Sequence, residues 1–262
     1  MEFAERLTEA RTAVDYLTGV NPDQMDHPVP NCPGWTVYNT AVHVGRVAVA
    51  WEQMMRSEPG ETDARERAYE ISGRRPVGAD PFDLAAWAHS AIDFMADNPS
   101  RECFFSMTGG HGTIELWAWH AASEIGVHRL DVEQALGHEH AISDRAALDS
   151  VDYACRFFLP AMRRVTGENP GGLSAELLGS HGAPLGTVAI EPESDSAEQD
   201  LADVPITEVP TTGLSIRGPV VQVLMALWGR PYEDVEVTAG DGAALAAWRT
   251  LPSKAFQFGT WE

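Results

Sequence analysis

Apolar residues recur every three to four positions along most of the first 166 residues, which is the period of a helix buried on one face. This pattern predicts helices over 3–18, from Thr36, from Asp80, over 113–137 and over 143–164. Thr36 supplies an N-cap, Gly137 a left-handed C-terminal stop, and Pro160 is expected to kink the last helix. The polar segment 57–80 is interpreted as a mobile connection with room for a short helical piece.

The pattern changes after Gly167, where Asn-Pro-Gly-Gly at 169–172 indicates a domain boundary. The runs that follow are shorter and strand-like, and the acidic segment 191–203 is interpreted as a solvated loop. Strands are predicted at 173–178, 186–190, 206–209, 214–216 and 235–237, and helices at 219–228 and 241–250. The sequence therefore predicts an α+β protein of two domains, a helical domain over 1–166 and a smaller α+β domain over 167–262.

The composition narrows the classes of partner. The 262 residues include 39 acidic and 18 basic side chains, a formal net charge of −21, so a nucleic-acid partner is not expected. No apolar run approaches the roughly 18 residues that a membrane span requires, and no secretory signal is expected. Three scattered cysteines without a C-x-x-C pair are typical of a reducing compartment, so a cytoplasmic protein without a membrane partner is expected.

The strongest chemical signal is the placement of His120, Glu124 and His128 at four-residue intervals along the 113–137 helix. Residues four apart lie on one helix face, so Glu124 and His128 can reach a single ion. In an arbitrary helix, a glutamate and a histidine four residues apart more often form an ordinary surface contact than a metal site. Here both lie near the apolar stripe, where an unpaired carboxylate is costly and a bound metal would remove that cost.

His43 lies on a separate apolar helix and is the candidate third ligand. A His₂Glu set leaves a fourth position open, which is the arrangement of catalytic zinc. His120 competes as a ligand, but it is interpreted as a residue that orients Glu124 from behind. Cys32 can be a nucleophile or a soft ligand, although a small packed residue is the favoured interpretation. Arg230 can grip an anionic substrate or simply complement a helix C-terminus, and the sequence leaves both readings open.

Several motifs together resemble the mycothiol-dependent maleylpyruvate isomerase family. They are CPGWTV at 32–37, VHVG at 42–45, WH at 119–120, VHRLDVEQALG at 127–137, IRGP at 216–219 and LWGR at 227–230. The resemblance implies a DinB-like four-helix bundle that holds a divalent metal, usually zinc, followed by a small α+β domain. It implies His43, Glu124 and His128 as the ligands, and an Arg230 that reaches toward the metal.

The function implied by this resemblance is a zinc-dependent enzyme that uses mycothiol as a thiol cosubstrate. A metal-bound thiolate would attack a small electrophile, and Arg230 would clamp its carboxylate. A cis–trans isomerase and a thiol S-transferase both remain open. The alternatives are a non-catalytic metal-binding or interaction protein of the same fold and a hydrolase that uses zinc-bound water. A monomer or a homodimer is expected.

Overall fold

The computed structural model describes residues 1–76, 78–168, 170–190, 213–239 and 242–256. The chain divides into two compact units, Met1–Ile142 and Ser143–Glu262. This division comes earlier than the boundary at 166/167 expected from the sequence. The reason is the packing of the helix that begins at Asp144, which lies against a helix of the second unit.

The first unit is a helical bundle. Its helices are α1 (Phe3–Thr18), α2 (Val37–Arg56), α3 (Ala64–Gly73), α4 (Pro81–Asp97) and α5 (Ile114–Leu136). Helices α1, α2, α4 and α5 pack against one another, and α3 lies against α2. The predicted helices are confirmed, and the segment interpreted as a connection contains the ten-residue helix α3. A short antiparallel pair, β1 (Glu102–Cys103) and β2 (Gly112–Thr113), precedes α5.

Local interactions set the first turn of α2 and the last turn of α5. Thr36 caps α2 by accepting a hydrogen bond from the Asn39 backbone N–H, and the Asn39 side chain accepts one from the Thr36 backbone N–H in return. Helix α5 ends at Gly137, whose φ of 67° is readily adopted only by a residue without a Cβ. Both ends were predicted from the sequence and are confirmed.

Helix α5 is buried around most of its circumference, so polar residues of this helix lie inside the bundle. Trp117 and Ile125 are among its fully buried apolar side chains. His120, Glu124 and His128 are also buried, at 4%, 5% and 6% relative exposure. A buried polar group requires a partner. The interior of this bundle is therefore the candidate location of a binding site.

Two glycines in helix interiors are expected to respond in opposite ways to alanine. A Cβ at Gly45 of α2 would lie 3.2 Å from the Cα and carbonyl oxygen of Leu84 on α4, whereas a Cβ at Gly126 of α5 would meet nothing within 4 Å. We expect Gly45→Ala to lower the free energy of unfolding by about 1–3 kcal/mol through overpacking. Gly126→Ala should raise it by roughly 0.5–1 kcal/mol, because alanine loses less backbone entropy. Chemical unfolding of both variants measures this, and equal shifts would contradict the close α2–α4 contact.

The second unit begins with α6 (Asp144–Tyr153) and α7 (Leu159–Thr166), which are joined by a π-helical turn over Ala154–Phe158. The sequence predicted one helix here with a kink at Pro160. The irregularity lies just before that proline, which occupies the first turn of α7, where a missing N–H is tolerated. Phe158 of the turn stacks on Trp228, with ring centroids 4.0 Å apart.

The sheet of the second unit has the strand order β4-β3-β5-β6. Its strands are β3 (Gly172–Leu178), β4 (Pro184–Ile190), β5 (Gly213–Pro219) and β6 (Glu236–Ala239). β3 and β5 are parallel neighbours and the other pairs are antiparallel. Helices α8 (Val220–Leu227) and α9 (Gly242–Phe256) complete the unit, and α6 packs on α8. The acidic segment 191–203 and the predicted strand 206–209 lie outside the described residues.

Within the described ranges, no helix is both long enough and apolar enough to cross a membrane.

Candidate metal centre

Three side chains predicted from the sequence meet inside the first unit. His43 projects from α2, and Glu124 and His128 project from α5. Glu124 Oε1 lies 3.5 Å from His43 Nε2 and 3.6 Å from His128 Nε2. One ligand atom from each residue can be chosen so that all three lie within 4.8 Å of one another. The arrangement depends on the four-residue spacing on α5 and on the packing of α2 against that helix.

The separations in this cluster fit a metal ion better than they fit hydrogen bonds. Hydrogen bonds between nitrogen and oxygen are commonly 2.7–3.2 Å long, shorter than either imidazole–carboxylate separation found here. Ligand atoms placed about 2.0–2.1 Å from one ion at tetrahedral angles lie roughly 3.4 Å apart. The observed 3.5 and 3.6 Å are close to that value. The donor set of two imidazoles and one carboxylate therefore suits a divalent ion of zinc's size and ligand preference.

The charges of the cluster are set by mutual contacts. Burial favours a neutral Glu124, but the facing imidazoles of His128 and His43 outweigh burial and hold the pKa of this carboxyl well below its usual range. Burial likewise opposes a charged His128, yet contacts with Asp131, Cys32 and Glu124 raise the pKa of its imidazole well above the usual value. Glu124 is therefore an anion at neutral pH, as a metal ligand must be.

Trp35 covers the two imidazoles from the segment that precedes α2. Its ring is stacked on His128 at a centroid distance of 5.8 Å and an interplanar angle of 23°. It also lies 4.9 Å from the ring of His43. The sequence placed Trp35 in a family motif without assigning it to the site. Its position directly before the N-cap Thr36 brings it to the start of the helix that carries His43.

His120 belongs to an aromatic environment outside the ligand cluster. Its ring centroid lies 4.8 Å from Trp51, 5.6 Å from Trp117 and 6.3 Å from Phe105. Burial lowers the pKa of His120 to about 4, although the charge of Glu124 acts in the opposite direction. The imidazole is thus neutral at neutral pH. Its expected role in orienting Glu124 stays a prediction.

The lowered pKa of His120 predicts that acid destabilises the metal-free protein. Between the unfolded-state value of 6.5 and the folded-state value of about 4, the unfolded chain binds more protons, so stability falls as pH falls. The loss is on the order of 3 kcal/mol at pH 4, and it is absent above pH 6.5. Unfolding in the presence of a chelator should show a shallower pH dependence for His120→Gln than for the wild type. Parallel curves for the two proteins would contradict this prediction.

Arg230 lies in the second unit, just after α8. It is half-buried, and its Nη1 donates a hydrogen bond to the carbonyl of Trp228 at 2.9 Å. Its backbone N–H donates to the carbonyl of Met225, also at 2.9 Å. These contacts satisfy carbonyls at the end of α8, which is one of the two readings that the sequence left open. The reach of Arg230 toward a substrate stays a prediction.

Sequence reasoning missed Asp131, and although it named Cys32 as a candidate nucleophile or soft ligand, it favoured a packing role for this residue. Cys32, His128 and Asp131 form a second group whose potential ligand atoms lie within 4.8 Å of one another. The Cys32 thiol donates to Asp131 Oδ2 at 3.4 Å, and His128 Nδ1 lies 3.2 Å from the same oxygen. The available signal was the i, i+3 spacing of His128 and Asp131, which places both side chains on one face of α5.

The chain is similar to known proteins in both sequence and fold. Residues 7–133 match the family model described as the mycothiol maleylpyruvate isomerase N-terminal domain. No curated protein matches the chain. Two solved structures, of the mycothiol-dependent maleylpyruvate isomerase and of a histidine-to-alanine mutant of it, are each 14% identical to the chain with a TM-score of 0.55. Each match covers 92% of this chain and 95% of the solved one, which confirms the α+β two-domain fold.

Proposed function

We propose, from the match of residues 7–133 to the family model of the mycothiol maleylpyruvate isomerase N-terminal domain, that this chain is a metal-dependent enzyme that uses mycothiol. The solved structures that share its fold are described as mycothiol-dependent maleylpyruvate isomerases. The proposed substrate class is a small electrophile with a carboxylate and a double bond conjugated to a carbonyl, as in maleylpyruvate.

The observation that carries the proposal is the buried cluster of His43, Glu124 and His128. Three protein ligands leave a tetrahedral ion one position for an exogenous group, whereas structural zinc has four protein ligands. A zinc ion held there supplies Lewis acidity, and a thiol that coordinates it loses its proton. Zinc is the proposed ion because two imidazoles and one carboxylate are its common catalytic ligand set.

The chain's own residues define the surroundings of the reacting sulfur. The anionic Glu124 would balance part of the charge of a bound ion, and the Trp35 ring lies against the two imidazoles that would hold it. His120 is neutral and is proposed to support Glu124 electrostatically from the interior of the bundle. Mycothiol bound there would supply a nucleophilic sulfur for reversible addition to the cis double bond of the substrate, which would allow rotation to the trans isomer and return of the thiol.

The test begins with the metal content of protein purified without added metal, followed by assays with maleylpyruvate and mycothiol. Catalytic thiol that is regenerated during cis–trans conversion supports an isomerase. Stoichiometric loss of thiol into an adduct identifies an S-transferase instead. Turnover of an ester or amide without any thiol identifies a hydrolase, and a bound metal without turnover or any thiol-dependent change identifies a non-catalytic protein.

Arg230 is the proposed carboxylate clamp, and its replacement tests substrate recognition separately from metal binding. We expect Arg230→Gln to raise KM for a carboxylate substrate by about 10- to 100-fold, since a charged hydrogen bond contributes about 1.5–3 kcal/mol. Bound metal should remain unchanged. The matched control is the methyl ester of the same substrate, for which wild type and variant should have similar KM values. Unchanged KM for the free acid would remove Arg230 from the site.

A further inference from the structure

Asp131 is a buried carboxylate that the proposed reaction does not use. It lies on α5 one turn after His128 and has 0% relative exposure. Its Oδ2 lies 3.2 Å from His128 Nδ1 and accepts a hydrogen bond from the Cys32 thiol at 3.4 Å. Its Oδ1 accepts a hydrogen bond from the Asn31 side-chain amide at 3.1 Å. A buried carboxylate is costly, and the two donors from the segment before α2 offset part of that cost here.

We propose that Asp131 is the positioning residue of the metal centre, holding the Nδ1–H of His128 so that Nε2 faces the ion, and at the same time anchoring the segment that carries Trp35. The inference rests on the proposed metal site, although it does not depend on the reaction catalysed there. Neither the family match nor the fold comparison assigns a role to this residue.

The geometry of the imidazole supports the orienting role. The two ring nitrogens of His128 face different carboxylates: Nδ1 faces Asp131, and Nε2 lies 3.6 Å from Glu124 Oε1. A histidine ligand to a metal commonly donates its second N–H to a carboxylate, which fixes the ring orientation and makes the ligating nitrogen more basic. Since Asp131 and His128 are three residues apart on one helix, their contact requires no adjustment of the backbone.

The anchoring role follows from the other donors to Asp131. Asn31 and Cys32 precede α2, and Asn31 also donates to Gln134 Oε1 on α5 at 2.8 Å. The segment they hold continues into Trp35, whose ring covers both His43 and His128. One carboxylate is thus in contact with a ligand and with the segment that shields the ligands. Loss of the Asp131 charge should first weaken metal binding. Loss of the Asn31 amide contact should instead loosen the segment before α2.

A competing arrangement places the metal between Cys32, His128 and Asp131, because their ligand atoms are also close together. The observed contacts favour hydrogen bonding to Asp131 there, since the Cys32 thiol donates to Asp131 Oδ2 and His128 Nδ1 lies 3.2 Å from the same oxygen. That arrangement would also require Nδ1 of His128 to bind the ion and would leave His43 and Glu124 without a role. The zinc affinities of Asp131 and Cys32 variants distinguish these two metal arrangements.

The test measures zinc affinity by competition with a chelator, without mycothiol or substrate, so that failure of the proposed reaction leaves the result interpretable. Asp131→Asn keeps the size of the side chain and removes its charge, and we expect zinc affinity to fall by about 10- to 100-fold. Asn31→Ala and Cys32→Ser are the matched controls, because each keeps the Asp131–His128 contact, and both should bind zinc nearly as well as the wild type. In the zinc-loaded protein, the downfield proton resonance of His128 Nδ1–H should move upfield only in Asp131→Asn.

Three results would overturn the inference. Wild-type affinity and an unmoved resonance in Asp131→Asn would show that the carboxylate does not position His128. An equal loss of affinity in Asn31→Ala would show that Asp131 acts only by holding the segment before α2. Loss of metal in Cys32→Ser, together with a thiolate-to-metal charge-transfer band in the cobalt-substituted wild type, would place the ion at Cys32.

Discussion

Replacement of His128 by alanine is expected to reduce the bound metal from about one ion per chain to nearly none and to abolish thiol-dependent turnover. The expectation follows from the two contacts of this imidazole, with Glu124 on one side and Asp131 on the other. Without the ring, Glu124 keeps only His43 as a partner ligand, and two ligands hold zinc poorly. Elemental analysis of the purified variant, before and after incubation with zinc, measures the effect.

A histidine outside the cluster provides the control for this experiment. His89 on α4 belongs to the same bundle and pairs with Asp15 through a 2.9 Å contact. His89→Ala should therefore retain metal and activity. Far-ultraviolet circular dichroism of both variants checks that the bundle remains folded. Full metal content in His128→Ala would exclude the cluster as the metal site and would leave only the fold and the match of residues 7–133 to the family model.

Trp117→Ala is expected to lower the free energy of unfolding by about 3–5 kcal/mol, the range for removing a large buried aromatic side chain. Trp117 has 0% relative exposure and packs edge-to-face on Phe105 at a centroid distance of 5.0 Å. Its indole N–H donates to the carbonyl of Phe104 at 2.8 Å, so the substitution also leaves a buried acceptor without this donor. Chemical unfolding followed by circular dichroism measures the change.

Trp119 is the matched control for this variant, since it lies only two residues away on the same helix. Its ring is half-buried and carries the Arg6 guanidinium 4.2 Å above its centroid. Trp119→Ala should cost about 1 kcal/mol through loss of the cation–π contact. Equal destabilisation by the two substitutions would show that α5 is not oriented in the bundle as described, with Trp117 toward the core and Trp119 toward the rim.

Much of the first unit was predictable because its signals are local. The apolar period, the capping box at Thr36 and the left-handed Gly137 each depend on a few neighbouring residues, so helices α2 and α5 could be located without knowledge of their packing. The second unit was less predictable. The helix from Asp144 reads like its predecessors in sequence, and only its contact with α8 shows that it belongs to the second compact unit.

The candidate site divides in the same way. By itself, the sequence determined that Glu124 and His128 share a face of one helix, because a helix repeats every 3.6 residues whatever surrounds it. It indicated His43 as the partner ligand, and its short motifs resembled those of the mycothiol-dependent maleylpyruvate isomerase family. Tertiary structure alone decided that α2 brings His43 within 3.5 Å of Glu124 and that Trp35 covers the imidazoles. It alone brought Asn31 and Cys32 to Asp131, since such contacts join residues about 100 positions apart and arise from packing between helices, which leaves no periodic trace in the chain.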